Sequence, residues 1–260
     1  ADLNPLKTIC EENNLILLED ACQAIGGTYN GKQLGTIGDL GCFSFDFVKT
    51  ITCGEGGAVV TNSRSYAENA DKYQDHGHDH VGNDRGAETH PFLGYNYRIS
   101  ELHAAVGLGQ LEKFEDVLKK QKQYYTILRE ELRSIPEVTF RRVPQDGKES
   151  HAFLNFFLPD EDTTRKAHKA ISNAGVDACF YWFDNNWHYY KKWEHLTEQK
   201  SLGRLPSDVR ANLQDFKTTD FSASDAWMSR TISSLIKVGW TEDEMKHRAQ
   251  QLKQVILSVL

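Results

Sequence analysis

Lys49 lies in Ser44-Phe-Asp-Phe-Val-Lys49-Thr-Ile-Thr-Cys-Gly-Glu-Gly-Gly57, between an apolar run and a glycine-rich turn. Upstream, the apolar run Leu15-Ile-Leu-Leu18 ends in Glu19-Asp20. An amine held in a fold can condense with an aldehyde, and a carboxylate at a strand end can keep a nearby ring nitrogen protonated. These are the two protein groups that pyridoxal phosphate chemistry needs. The lysine carries the cofactor as a Schiff base, and the acid keeps the pyridine ring an electron sink. Each signal alone is weak, because lysines are mostly exposed and many strands end in Asp. Their combination carries the reading. Gly54, Gly56 and Gly57 add a tight turn that lets backbone approach a ligand.

These groups need a scaffold that brings them to one edge. Residues 15–20, 40–45 and 57–61 are short apolar runs bounded by turn signals, the pattern of buried parallel strands. Ligands of open α/β sheets gather outside the carboxyl ends of the strands, where Asp20 and Ser44 fall. Glu19 is expected to face away from Asp20, since strand side chains alternate. Residues 66–90 read as a polar loop after one helical turn. Ser100 is placed to cap a helix with Leu102, Ala105, Val106, Leu108, Leu111 and Phe114 at helical spacing. A second helix over 117–132 ends before Pro136 and carries the chain between domains. Strands are expected at 137–142 and 152–158, and a helix at 162–173 closed by Gly175. A last helix starts at Thr241, with Glu242-Asp-Glu244 in its acid-favouring first turn.

Composition narrows the classes. The 260 residues suffice for a packed core, and the net charge of −7 argues against broad nucleic-acid binding. No apolar run approaches the roughly 20 residues of a membrane span. Cysteines 10, 22, 42, 53 and 179 form no CxxC pair and read as reduced thiols. A cytoplasmic location follows as the expectation. His76-Gly-His78-Asp-His80 has the residue types of a metal tract but neither cysteine nor helical spacing. It reads as part of a substrate entrance, and no metal site is expected.

Four stretches resemble one family: Asp20-Ala-Cys-Gln23-Ala-Ile-Gly-Gly, Gly38-Asp-Leu-Gly-Cys-Phe-Ser44-Phe, the Lys49 segment through Asn62, and Gly94-Tyr-Asn96-Tyr-Arg98-Ile-Ser-Glu101-Leu-His-Ala-Ala105. They are similar to the DegT/DnrJ/EryC1/StrS sugar aminotransferases, in unbroken order over most of residues 1–118. The resemblance implies an α/β fold. Residues 1–118 would be part of an aspartate-aminotransferase-like large domain with a mostly parallel sheet. Residues 119–260 would be an interdomain helix and a small α+β domain. Because relatives carry a further stretch before this point, the chain is expected to be a carboxyl-terminal portion.

The resemblance also implies roles. Lys49 would be the catalytic lysine, and Asp20 would pair with the ring nitrogen of pyridoxal 5'-phosphate, which becomes pyridoxamine phosphate in the half-reaction. Gln23 would meet the phenolic oxygen, and Ser44 the phosphate or Schiff-base region. Asn96 would reach the phosphate in the partner subunit of a homodimer with shared sites. Lysine at position 49, where some relatives have histidine, favours transamination over dehydration. Glutamate would donate the amino group to a sugar met by His78, His80, Arg98, Trp187 and His188. The His-Asp-His and Trp-His segments most resemble enzymes forming 8-amino-3,8-dideoxy-manno-octulosonate for lipopolysaccharide. A nucleotide-sugar 3- or 4-aminotransferase is the alternative, and a non-catalytic regulator on the same fold is the alternative of another class.

Overall fold

In the computed structural model, which describes residues 1–213 and 215–260, the run after α1 (Leu3–Glu12) becomes a strand only over its last three residues, β1 (Leu18–Asp20). A small antiparallel hairpin follows, β2 (Thr28–Tyr29) with β3 (Lys32–Gln33). Then come β4 (Leu40–Ser44) and β5 (Gly57–Val60), giving a three-stranded sheet in the order β1-β4-β5. β1 and β4 are parallel, with Asp20 opposite Cys42. β5 instead runs antiparallel to β4, with Ser44 opposite Gly57. The expectation of parallel strands throughout therefore fails at β5. Residues 45–56 form a loop without a crossover helix, and a strand returning directly must run backwards.

Buried Glu19 locks this sheet. Its carboxylate accepts from the N–H groups of Gly35 (2.8 Å), Ile37 (2.6 Å) and Gly38 (2.6 Å). That ties the turn entering β4 to the middle of β1. Gly41 allows the closeness, since a Cβ there would stand 1.8 Å from the Gly35 carbonyl oxygen.

α2 (Arg64–Gln74) replaces most of the loop expected after the first turn at residue 66. Ser63 caps it by accepting from Tyr66 N–H, and Tyr66, Ala70 and Tyr73 share a face beside Leu40 and Phe92. α3 (Glu101–Leu111) starts at its expected cap, with Ser100 accepting from His103 N–H. α4 (Phe114–Arg133) follows.

The chain divides into two compact units, Ala1–Lys122 with Val143–Ala152, and Gln123–Arg142 with Phe153–Leu260. This differs from a single division after residue 118. β6 (Thr139–Phe140) belongs to the second unit, but β7 (Gly147–Lys148) returns to pair antiparallel with β2.

In the second unit β8 (Phe153–Phe157), β9 (Cys179–Phe180) and β10 (Thr231–Leu235) join β6 in the order β6-β8-β10-β9. Helix α5 (Glu161–Asn173) is capped by Asp160, which accepts from Thr163 N–H at 2.7 Å. Short helices α6 (Glu194–Thr197), α7 (Ser207–Ala211) and α8 (Ser222–Met228) precede α9 (Glu242–Leu257). Thr241 and Glu244 form a reciprocal capping box at the start of α9. The buried core joins Tyr124, Leu128 and Leu132 of α4 with Leu154 and Phe156 of β8, Ile171 of α5, Ile232 of β10, and Met245 and Leu252 of α9. No helix among the described residues is long and apolar enough to cross a membrane.

Candidate active site

Parallel pairing of β1 with β4 brings their carboxyl ends to one edge of the sheet. Asp20 ends β1, and Ser44 ends β4 two residues beyond the partner of Asp20. The Asp20 side chain is exposed at this edge, while neighbouring Glu19 points inward, as strand alternation requires. Cys22 N–H donates to Asp20 Oδ1 at 3.1 Å. Hydrogen bonds from the Cys22 thiol and backbone hold the Asp20 carboxyl below its ordinary range, and the charge of Lys49 lowers it further. Asp20 is therefore ionised at neutral pH. Burial, with help from Asp20, pushes the Cys22 thiol up to about 11, so it stays protonated beside that carboxylate.

Lys49 is positioned by the loop leaving β4. Asp46 closes the first turn, its Oδ1 accepting from Val48 N–H (2.8 Å) and its carbonyl from Lys49 N–H (3.0 Å). Thr52 Oγ1 donates back to the Phe45 carbonyl (3.2 Å) and accepts from Gly54 N–H (3.0 Å). Gly54, at φ +90°, occupies backbone space that side chains rarely adopt. The loop brings Lys49 near enough for its charge to act on both Asp20 and Cys22. Gln23 lies exposed just past Asp20, and its carbonyl accepts from Ser150 Oγ at 3.4 Å.

A second constellation centres on buried Asp75, at the end of α2, which bridges to Asn96. Its carboxylate meets His76 Nδ1 (3.0 Å), His80 Nε2 (3.2 Å), Arg85 (3.0 Å) and Arg98 Nη1 (3.2 Å). The His76 hydrogen bond, followed by those of His80 and Arg85, holds Asp75 far below the ordinary carboxylate range. Asp71, 2.6 Å from His80 Nδ1, and then Asp75 raise the His80 pKa. Arg98 Nε also donates to Asn96 Oδ1 at 3.0 Å, which leaves Nδ2 as the amide's donor side. Of the residues expected to meet substrate, His80 and Arg98 are thus engaged by Asp75.

Trp187 and His188 lie in the second unit. There Trp182 stacks on Phe180 (4.6 Å between centroids) and lies nearly parallel to Trp187 (6.4 Å). His188 meets Trp182 edge-on at 4.6 Å.

The sheet edge fits a cofactor with a basic ring nitrogen and an aldehyde. It offers an ionised carboxylate, a lysine beside it and a hydroxyl at the next strand end. Glu19 and Asp75 were missed as organising residues. The signal for Glu19 was its place one residue before Asp20 on a strand. The signal for Asp75 was the density of His and Arg around it in sequence.

The chain is 40% identical over 135 residues to GDP-perosamine synthase of Vibrio cholerae, covering 52% of this chain and 36% of that protein. It is 28% identical over 207 residues to UDP-4-amino-4,6-dideoxy-N-acetyl-beta-L-altrosamine transaminase of Campylobacter jejuni, covering 78% and 52%. The chain therefore spans about a third to a half of the length of these relatives. An aminotransferase from Psychrobacter cryohalolentis has the same fold at a TM-score of 0.81, with 22% identity over 99% of this chain and 66% of that one. The family model for the DegT/DnrJ/EryC1/StrS aminotransferases matches residues 1–253, and the chain belongs to that family.

Proposed function

We propose that the protein is a pyridoxal-phosphate-dependent aminotransferase that moves an amino group from glutamate to a keto or aldehyde sugar. The observation that carries this reading is that ionised Asp20, at the end of β1, lies within the electrostatic reach of Lys49. Lys49, Asp20, Gln23 and Ser44 would hold the cofactor, with Asn96 donating to the phosphate in a second copy of the chain. The cofactor, when bound, supplies the electron sink for charge released at the substrate carbon. Asp20 keeps the ring nitrogen's proton in place by its negative charge. Lys49 Nζ would hold the cofactor's aldehyde carbon and would be the base placed to take a proton from the substrate carbon. Arg98 and His80 act through Asp75, shaping the loop at the entrance. Trp187 and His188 present ring surface of the kind that packs on sugar C–H faces.

The relatives named for GDP- and UDP-linked sugars support a nucleotide-sugar acceptor over free octulosonate. The His-Asp-His and Trp-His segments favour the octulosonate reading as the second choice. The test is to incubate the full-length protein with glutamate and each candidate keto sugar, then identify products by mass spectrometry. An aminated nucleotide sugar supports the first choice, and amination of the octulosonate alone selects the second. If no acceptor is aminated and no 2-oxoglutarate forms, transamination is wrong and a regulatory role on this fold takes its place.

A further inference from the structure

The loop after α2 holds histidines that the proposed transamination leaves without a role. His78 is central. Its side chain is 15% exposed, and the adjoining Glu88 side chain is 6% exposed. Glu88 Oε2 lies 2.7 Å from His78 Nδ1, yet neither atom completes an aligned hydrogen bond with any partner. Buried polar atoms left short of alignment are costly, and a carboxylate held this close to Nδ1 leaves Nε2 as the ring nitrogen open to a further partner.

On the far side of the ring, His78 Nε2 is 3.4 Å from His90 Nε2. The ring centroids are 4.2 Å apart, farther than the two nitrogens, so the ring tips lean together. Two imidazole nitrogens bound at ~2.0–2.1 Å to one tetrahedral ion stand about 3.4 Å apart. His76 supplies a third ring. Asp75, His76 and His78 each bring a donor atom to within 4.8 Å of the others. Asp75 Oδ1 stands 3.0 Å from His76 Nδ1, which leaves Nε2 as the ring nitrogen not engaged by that carboxylate. Asp75 is already balanced by Arg85 and Arg98, so it suits an orienting role better than a ligand's.

We propose that His78 and His90 bind one divalent ion of the zinc class through their Nε2 atoms, with a ring nitrogen of nearby His76 as the third donor, Glu88 orienting His78 and Asp75 orienting His76. A carboxylate behind Nδ1 with metal at Nε2 is the recurring outer shell of histidine sites. An all-imidazole donor set selects zinc, cobalt, nickel or copper over magnesium or calcium. The sequence weighed against a metal because the alternating His76, His78 and His80 come with neither cysteine nor helical spacing. Folding brings in His90 from twelve residues beyond His78 and turns His80 to Asp71 and Asp75 instead.

The test uses the full-length protein without a polyhistidine tag, stripped by a chelator and dialysed against Zn²⁺ or Mg²⁺. Elemental analysis should find about one zinc per chain and no magnesium. Competition with a chromophoric chelator should show at least about tenfold weaker zinc binding in His78→Ala and His90→Ala. Glu88→Gln should weaken it about 10- to 100-fold with stoichiometry kept. His195→Ala, on α6, should leave it unchanged. Co²⁺ in the unaltered protein should give the visible spectrum of a tetrahedral site, which decides the matter even if a variant fails to fold. No zinc uptake by the unaltered protein overturns the proposal. So does full affinity in a folded protein lacking His76, His78 and His90 together.

Discussion

In the second unit α4, α5 and α9 close over β8 and β10, so that Leu128, Leu132, Leu154, Phe156, Ile232, Met245 and Leu252 are at most 1% exposed. In the first unit the equivalent apolar stripe of α3 faces outward, with Leu102 81% and Leu108 65% exposed. Leu15, Leu18 and Val59, in or beside the three-stranded sheet, are also more than half exposed. Yet Asp20, Ser44, Lys49 and Asn96 all lie in this open unit. The contrast separates two properties that are often taken together. The fully buried apolar core is concentrated in one unit, and the residues proposed to hold the cofactor lie in the other. Substitutions should therefore sort by unit, with activity and stability moving independently.

The largest expected effect is on chemistry alone. Lys49→Ala should cut turnover by about 10⁴-fold or more while leaving the thermal midpoint within a few degrees, because on the proposed reading it removes the nucleophile and proton carrier together. Turnover above a few per cent of normal would break the assignment. Asp20→Asn should cost about 10²- to 10⁴-fold in turnover, since a neutral amide no longer favours the protonated ring nitrogen. Cofactor binding through the phosphate should persist and be visible by absorbance. Near-normal rates would move the role to another acid.

Leu132→Ala makes the opposite case. Truncating a fully buried side chain on α4 should destabilise the second unit by about 2–5 kcal/mol in denaturant unfolding. Next in size is a thiol reactivity. With its pKa pushed up to about 11, Cys22 should alkylate roughly 10- to 100-fold more slowly near pH 8 than an ordinary thiol. The rate should climb as pH rises toward 11, which peptide mapping after iodoacetamide treatment would follow. Rapid labelling at pH 8 would mean that burial around Cys22 is absent. The smallest effect belongs to Leu102→Ser, within about 0.5 kcal/mol for the isolated chain, because an exposed leucine has little packing to lose. A loss as large as that of Leu132→Ala would show that α3 is covered in solution and would erase the contrast between the units.

Where local chemistry and pattern coincide, the element ends that carry the candidate site residues were legible in sequence. Asp20 and Ser44 ended apolar runs and do end strands. Ser100 and Thr241 announced helix starts through side-chain oxygens that do accept from backbone N–H groups. The direction of β5 was not legible, because apolar runs look alike in parallel and antiparallel pairs. α2 was overlooked because it buries no residue fully and its polar face dominates its composition. Its signal was present in Ser63 and in Tyr66, Ala70 and Tyr73 at helical spacing. The burial expected for the strands fails at Leu15, Leu18 and Val59, since apolarity states what a residue prefers and not whether a cover exists. His90 was invisible as a neighbour of His78 because their proximity depends on how a loop closes.

The return of β7 bears on the order in which the molecule assembles during synthesis. Glu19 reaches partners 16 to 19 residues downstream, at 35–38, so β1 and its turn can dock while the chain is still short. Thr28 and Tyr29 must instead wait for Lys148 and Gly147, which emerge from the ribosome only after all of α4 and β6. Loop-closure entropy makes that late pairing dearer than the early one, though the cost grows slowly with length. Pausing translation before residue 147 would therefore leave β2 and β3 as an unaugmented hairpin, while the edge bearing Asp20 could already have formed.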